Sequence, residues 1–222
     1  MLVSTQQAVF AYKLLTENAE FRFKFKFMII QQANIEHLEG ILELQEKYHV
    51  GNLTEQEKQE KGFVTMKVTP EQFTYLIEKR GVFIALLDEK VGAYALTSPW
   101  DFYRQWPIIN VMEEVLPTLK LENLDITVEN SFQYGPVCID ESCRGRNILQ
   151  GLFDAILPVY ADDFEFAVTF INNVNERSFR AHARQTPLSI IGYFGFNGNH
   201  YSALACRCSA HREQEFHGVI FI

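Results

Sequence analysis

The stretch that most constrains the fold is Phe132–Ile156, where an apolar run turns into a helical stripe across a short basic loop. Phe132–Ile139 reads as a strand interrupted at Gly135-Pro136. Ile148, Leu149, Leu152, Phe153 and Ile156 then fall on one face of a helix, which is expected to stop at Pro158. Between them lies Cys138-Ile-Asp-Glu-Ser-Cys-Arg144-Gly-Arg-Asn147. Free N–H groups at a helix N-terminus, its dipole, and the charges of Arg144 and Arg146 suit a phosphate. An ordinary strand-to-helix turn with solvated arginines fits this loop equally well.

The rest of the chain supplies the other layers of an α/β domain. Residues 5–18 read as a short helix, and Phe21–Phe27 alternates strictly before Met28-Ile29-Ile30, as a strand with one buried face does. Asn34 can cap the helix carrying Ile35, Leu38, Ile41, Leu42 and Leu44. Thr54-Glu-Gln-Glu57 and Thr69-Pro-Glu-Gln72 are capping boxes, the second with proline at the first helical position. Val82–Leu87 and Val91–Thr97 form a hairpin around Asp88-Glu89-Lys90. Ile108, Met112, Val115 and Leu119 mark a helix that Pro117 distorts or ends. Strand Phe166–Ile171, helix Asn175–Arg184, strand Ile190–Phe196, turn Asn197-Gly-Asn199 and strand His200–Cys208 follow. The order implies a mixed sheet with helices on its faces.

Composition narrows the function classes. The net charge of −8 opposes nucleic-acid or anionic-membrane binding, which needs a basic face. Nineteen phenylalanines point to an aromatic core. No run approaches the roughly 18 apolar residues of a membrane helix. The opening residues lack a basic stretch and a cleavage site, so the expectation is a cytoplasmic protein. Cys138, Cys143, Cys206 and Cys208 lack zinc-knuckle spacing and read as reduced thiols, with no metal. With no linker or repeat, 1–222 reads as one domain, residues 1–20 being an extension and 209–222 a tail or final strand. No G-x-S-x-G elbow or G-x-x-x-x-G-K-[ST] loop occurs.

The element order and the 144–149 loop together resemble the GNAT superfamily of acyl-CoA N-acyltransferases. The family loop runs R/Q-x-x-G-x-G/A, commonly R-G-x-G-I-G-x-x-L. Arg144, Gly145, Ile148 and Leu152 match it, while Asn147 and Leu149 replace the two glycines that let backbone approach a pyrophosphate. Phe170-Ile-Asn-Asn-Val-Asn175-Glu-Arg-Ser178-Phe-Arg-Ala181-His182, with Gly195-Phe196 downstream, occupies the place of the family's N-x-x-A-x-x-F-Y and later G-F and resembles it loosely. Gly62-Phe63, the helix after Thr69, and Val91-Gly-Ala-Tyr94 resemble its first half, so the likeness spans residues 22–208.

The resemblance implies a mixed, mostly antiparallel sheet flanked by helices, acetyl-CoA as cosubstrate, and direct acetyl transfer to a primary amine on a small molecule or peptide. Backbone at Val137, Cys138 and Ile139 would meet the pantetheine and carbonyl. Arg144, Gly145, Arg146, Asn147, Ile148 and Leu149 would hold the pyrophosphate, and Asn175 would lie near the pantetheine or act only as a helix cap. His182 takes the place of the family's tyrosine general acid, or is a half-buried helical residue bonded to a neighbour. Tyr103, Tyr134 and Tyr193 are alternative donors, and no base is named. Trp100, Asp101, Tyr103 and Trp106 either border the acceptor site or pack into a core, the second being the stronger reading. A non-catalytic acyl-CoA-binding sensor or scaffold is the alternative function. A homodimer through Val219–Ile222 is open, as is a strand completing the chain's own sheet.

Overall fold

Side-chain caps set the start of the helices. In the computed structural model, which describes residues 27–211 and 219–221, β1 (Phe27–Gln32) is followed by Asn34. Its side chain accepts from Glu36 N–H and begins a short turn that runs into α1 (Leu38–Tyr48). The boxes at Thr54 and Thr69 both form and start α2 (Glu55–Lys61) and α3 (Pro70–Glu78). The helix read at 5–18 and the alternating run before Phe27 lie outside the described residues.

Turn chemistry sets the hairpins. Asp88 and Glu89, both left-handed at φ 50° and 66°, join β2 (Val82–Leu87) to β3 (Lys90–Ser98). A short α4 (Trp100–Tyr103) precedes α5 (Pro107–Val115), and Pro117 falls in the 3-10 turn that ends it. A two-residue ribbon, β4 (Lys120–Leu121) with β5 (Leu124–Asp125), leads to β6 (Ser131–Ile139). Then come α6 (Ile148–Tyr160), β7 (Phe166–Asn172), α7 (Glu176–Gln185), β8 (Ser189–Phe196), β9 (Asn199–Arg207) and β10 (Val219–Phe221).

The expected stop at Pro158 is wrong, because α6 continues to Tyr160. Proline removes one donor from the last turn, but Tyr160 anchors that turn elsewhere. Its ring stacks on Phe132 at 4.2 Å, and its hydroxyl accepts from Thr97 Oγ1 at 2.8 Å.

Among the described residues ten strands give an eight-stranded sheet in the order β10-β1-β2-β3-β6-β7-β9-β8, plus the β4–β5 ribbon. Every neighbouring pair in the large sheet is antiparallel except β6–β7. β10 pairs with β1, so Val219–Phe221 extends the chain's own sheet. Side chains alternate between two cores. Tyr48, Phe73, Tyr94, Trp100 and Tyr103 lie in one, and Phe83, Phe132, Tyr134, Leu152 and Phe153 in the other. The tryptophan cluster is therefore core. Trp100 Nε1 donates to Ser131 Oγ at 3.0 Å, and Tyr103 is fully buried, while Asp101 pairs with Arg104 at the surface. Among the described residues no helix is long and apolar enough to cross a membrane.

One interruption in the sheet positions the site. The two parallel strands pair only at Ser131–Gln133 with Phe166–Val168. Beyond that, β6 keeps its ladder to β3 through Val137, Cys138 and Ile139, while β7 stays with β9 as far as Asn172. The sheet forks. Pro136 has no N–H to give across the gap, and Gly135, at φ 101°, takes a backbone turn that a side chain would resist.

Candidate functional site

The fork opens into a cleft of about 450 Å³. One wall is Val137, Cys138 and Ile139 of β6, continued by Arg144, Gly145, Ile148 and Leu149. The other is α7, from Asn175 to Gln185, and Tyr48 with the 61–64 segment covers part of it. Eight of the ten expected cofactor residues thus line one cavity with His182. Arg146 and Asn147 do not line it. Arg146 lies beside Cys143, its Nη1 shielded and without a hydrogen-bond partner.

The loop before α6 has the conformation an anion cradle needs. Gly145 is left-handed at φ 76°, with open space where a Cβ would stand. Asn147 is left-handed at φ 56° and gives α6 no side-chain cap, so the first N–H groups of this 13-residue helix face no capping oxygen. Asparagine adopts that conformation readily, which is why it can replace glycine here. Leu149 differs, since its buried side chain occupies cleft wall where glycine would leave room.

Arg144 lines the cleft with its guanidinium tied to protein carbonyls. Its Nε donates to Ile139 O at 3.2 Å and its Nη2 to Lys61 O at 2.7 Å, with the guanidinium 5.3 Å from the Tyr48 ring centroid. Tyr48 in turn accepts from Glu141 N–H at 2.9 Å. Asp140 caps the loop by accepting from Ser142 N–H and takes Lys47 Nζ at 2.6 Å. Burial alone would raise its pKa, but those bonds win and hold it at about 2.

The 60–63 segment is fastened to both sides of the fork. Besides the Arg144 bond, Arg177 Nη1 donates to Glu60 O at 2.6 Å and Asn175 Nδ2 to Phe63 O at 2.9 Å. Asn175 Oδ1 also accepts from Ser178 N–H, so its helix-cap reading is the one the geometry carries.

His182 is 5% exposed. Its Nδ1 lies 2.8 Å from Ser178 O, which can only accept, so Nδ1 carries the proton and Nε2 offers a lone pair. Burial pulls its pKa below the ordinary value against that hydrogen bond, leaving the ring neutral at pH 7. A general acid must arrive protonated, so this geometry disfavours the expected role. Tyr134 packs edge-on to the His182 ring at 5.8 Å, and its buried hydroxyl has no partner. Tyr103 sits deep in the core, and Tyr193 is 66% exposed. Cys138 Sγ lies 3.8 Å from Leu44 O, and burial pushes its thiol pKa up, which disfavours the thiolate.

Sequence reasoning missed the positive rim. Arg177, Arg180 and Arg184 recur along one side of α7 and line the cleft with Lys61 and Arg144; among the described residues Glu176, paired with Arg180 at 2.6 Å, is the single acidic lining residue. Their i, i+3, i+7 spacing is the signal that could have revealed them. At the fork a second hollow of about 80 Å³ shares Phe63, Val64, Val137, Asn175, Ser178 and His182 with the main cleft.

No family model matches this chain, and no curated protein matches it in sequence. Solved structures do match it in fold. An N-acetyltransferase from Staphylococcus aureus Mu50 aligns at TM-score 0.54 and 15% identity, over 82% of this chain and 98% of its own. A GNAT-family acetyltransferase from Streptococcus agalactiae aligns at 0.55 and 13%, over 81% and 95%. A candidate acetyltransferase from Salmonella typhimurium, solved with its cofactor acetyl-CoA, aligns at 0.55 and 12%, over 85% and 98%. Together with the forked mixed sheet, these matches give the chain the fold of the GNAT N-acetyltransferases.

Proposed function

We propose that the chain is an N-acetyltransferase that moves the acetyl group of acetyl-CoA to a primary amine by direct attack in a ternary complex. The observation that carries this reading is the fork between β6 and β7, opening beside the uncapped N-terminus of α6. Its rim carries Lys61, Arg144, Arg177, Arg180 and Arg184 in a chain of net charge −8, which suits a polyphosphate. Gly145 and the first N–H groups of α6 would hold the pyrophosphate, and the α7 arginines would add charge at the rim. The forked half of β6, at Val137, Cys138 and Ile139, carries alternate backbone groups pointing away from β3 into the gap.

Bound acetyl-CoA would supply an acyl thioester, whose carbonyl carbon forms a C–N bond with a neutral amine as the C–S bond breaks. His182 is the proton acceptor in this account. Its Nε2 lone pair, held in place by the Nδ1 bond to Ser178, takes the proton the amine loses, and coenzyme A departs as a thiolate that this proton or water converts to the thiol. Holding the reactants in the fork supplies the orientation.

Two observations favour the alternative of a non-catalytic acyl-CoA-binding module: Leu149 occupies cleft wall and Arg144 is tied to protein carbonyls. The experiment that decides is incubation with acetyl-CoA and a pool of primary amines, reading free thiol and acetylated amine by mass spectrometry. Amine-dependent thiol release with matching acetylated product supports the enzyme. Acetyl-CoA binding without product supports the sensor.

A further inference from the structure

A transferase needs a second approach for its amine, and the hollow beyond His182 has the chemistry of one. Phe63, Thr169, Phe170, Asn172 and Tyr201 contribute to its lining. Among the described residues no Asp, Glu, Lys or Arg lines it, in contrast to the main cleft. Its aromatic wall is braced. Phe170 meets Tyr201 edge-on at 5.9 Å and Phe194 at 5.6 Å, and Phe194 stacks on Tyr201 at 5.2 Å. Phe170 remains half-buried.

Resting on the acetyltransferase reading, we infer that the acceptor is a primary amine on an uncharged aromatic or alkyl body, its slim aminoalkyl arm in the hollow and its body against Phe170 and Tyr201. A polyamine or aminoglycoside would bring further ammonium groups to a wall with no carboxylate to pair them, and burying an unpaired charge is costly. An amino acid would bring a carboxylate to a wall with no cation. An apolar body gains from burial on the rings. The same lack of counter-charge favours the neutral, nucleophilic form of the amine. A volume of about 80 Å³ admits an unbranched arm and not a bulky head.

The test is steady-state kinetics with acetyl-CoA and three acceptors: a phenylalkylamine, spermidine and an amino acid. The expected result is a kcat/KM at least about tenfold higher for the phenylalkylamine. Phe170→Ala should raise its KM about tenfold with acetyl-CoA affinity unchanged, and Phe170→Leu, which keeps more apolar volume, should raise it less. Equal or better use of spermidine or the amino acid overturns the inference while leaving the acetyltransferase reading standing. Turnover of none of the three, nor of the wider amine pool, overturns both.

Discussion

Arg144 Nη2 donates to the Lys61 carbonyl at 2.7 Å, so the loop that opens α6 and the end of α2 are held as one unit across 83 residues of sequence. The bond to Ile139 O and the Tyr48 ring complete the fixture. Arg144→Ala should cost about 2 kcal/mol, since it leaves two carbonyls to water and removes a stacked guanidinium. For a chain of this size that is a fall in Tm of roughly 4–8 °C. Arg144→Lys should recover only part of it, because an ammonium lacks the planar fork. Thermal unfolding of the two variants checks this, and an unchanged Tm in Arg144→Ala would show that the tie is incidental.

His182 gives a pH dependence of definite sign. Its folded pKa lies below the ordinary value of about 6.5, and the proposed role needs the neutral ring. Activity should therefore be flat above pH 6.5 and fall as pH drops through the lowered folded value. A general-acid role predicts the opposite limb, with activity lost as pH rises past that value. His182→Gln should lower kcat by roughly 10²-fold, with acetyl-CoA affinity preserved. The linked stability change has the same direction. The unfolded chain binds the proton more readily, so stability is full above about 6.5 and declines as pH falls toward the folded pKa.

Asn147 holds a left-handed conformation with no side-chain hydrogen bond to the helix it precedes. Asn147→Gly should leave stability within about 0.5 kcal/mol, and Asn147→Val should cost about 1–2 kcal/mol through the clash of a branched Cβ. Denaturant midpoints read both.

Cys138 lines the cleft but is buried, against Leu44 O. Direct transfer predicts that Cys138→Ala keeps kcat within about threefold, because the backbone of β6 and not the thiol faces the reaction. A covalent acyl-cysteine route predicts a loss of several orders of magnitude, and intact-protein mass spectrometry of the unmutated chain with acetyl-CoA would show the adduct.

What the sequence made legible was local. Both capping boxes, the hairpin at Asp88-Glu89, and the strand–loop–helix around Arg144 follow from residues a few positions apart. The Gly135-Pro136 interruption also foretold where β6 would leave its neighbour. What escaped depends on distance in the chain. Nothing near Arg144 signals that Lys61 O will take its guanidinium, and nothing near Val219 signals its pairing with Ile29. Pro158 looked like a stop because the Tyr160–Thr97 bond that anchors the last turn joins residues 63 apart. His182 was read from its place in the motif, while its proton inventory needed the Ser178 carbonyl. The arginines of α7 were visible in spacing, and their common face became meaningful only beside the fork.

The central claim is that the fork and the basic rim beside α6 hold coenzyme A. Calorimetric titration of acetyl-CoA into the unmutated protein and into an Arg180→Glu/Arg184→Glu variant tests it most directly, since both side chains line the cleft and neither belongs to the core. The account predicts micromolar binding that weakens at least about tenfold on reversing these two charges. Absence of binding to the unmutated protein, or equal binding to both, would contradict it.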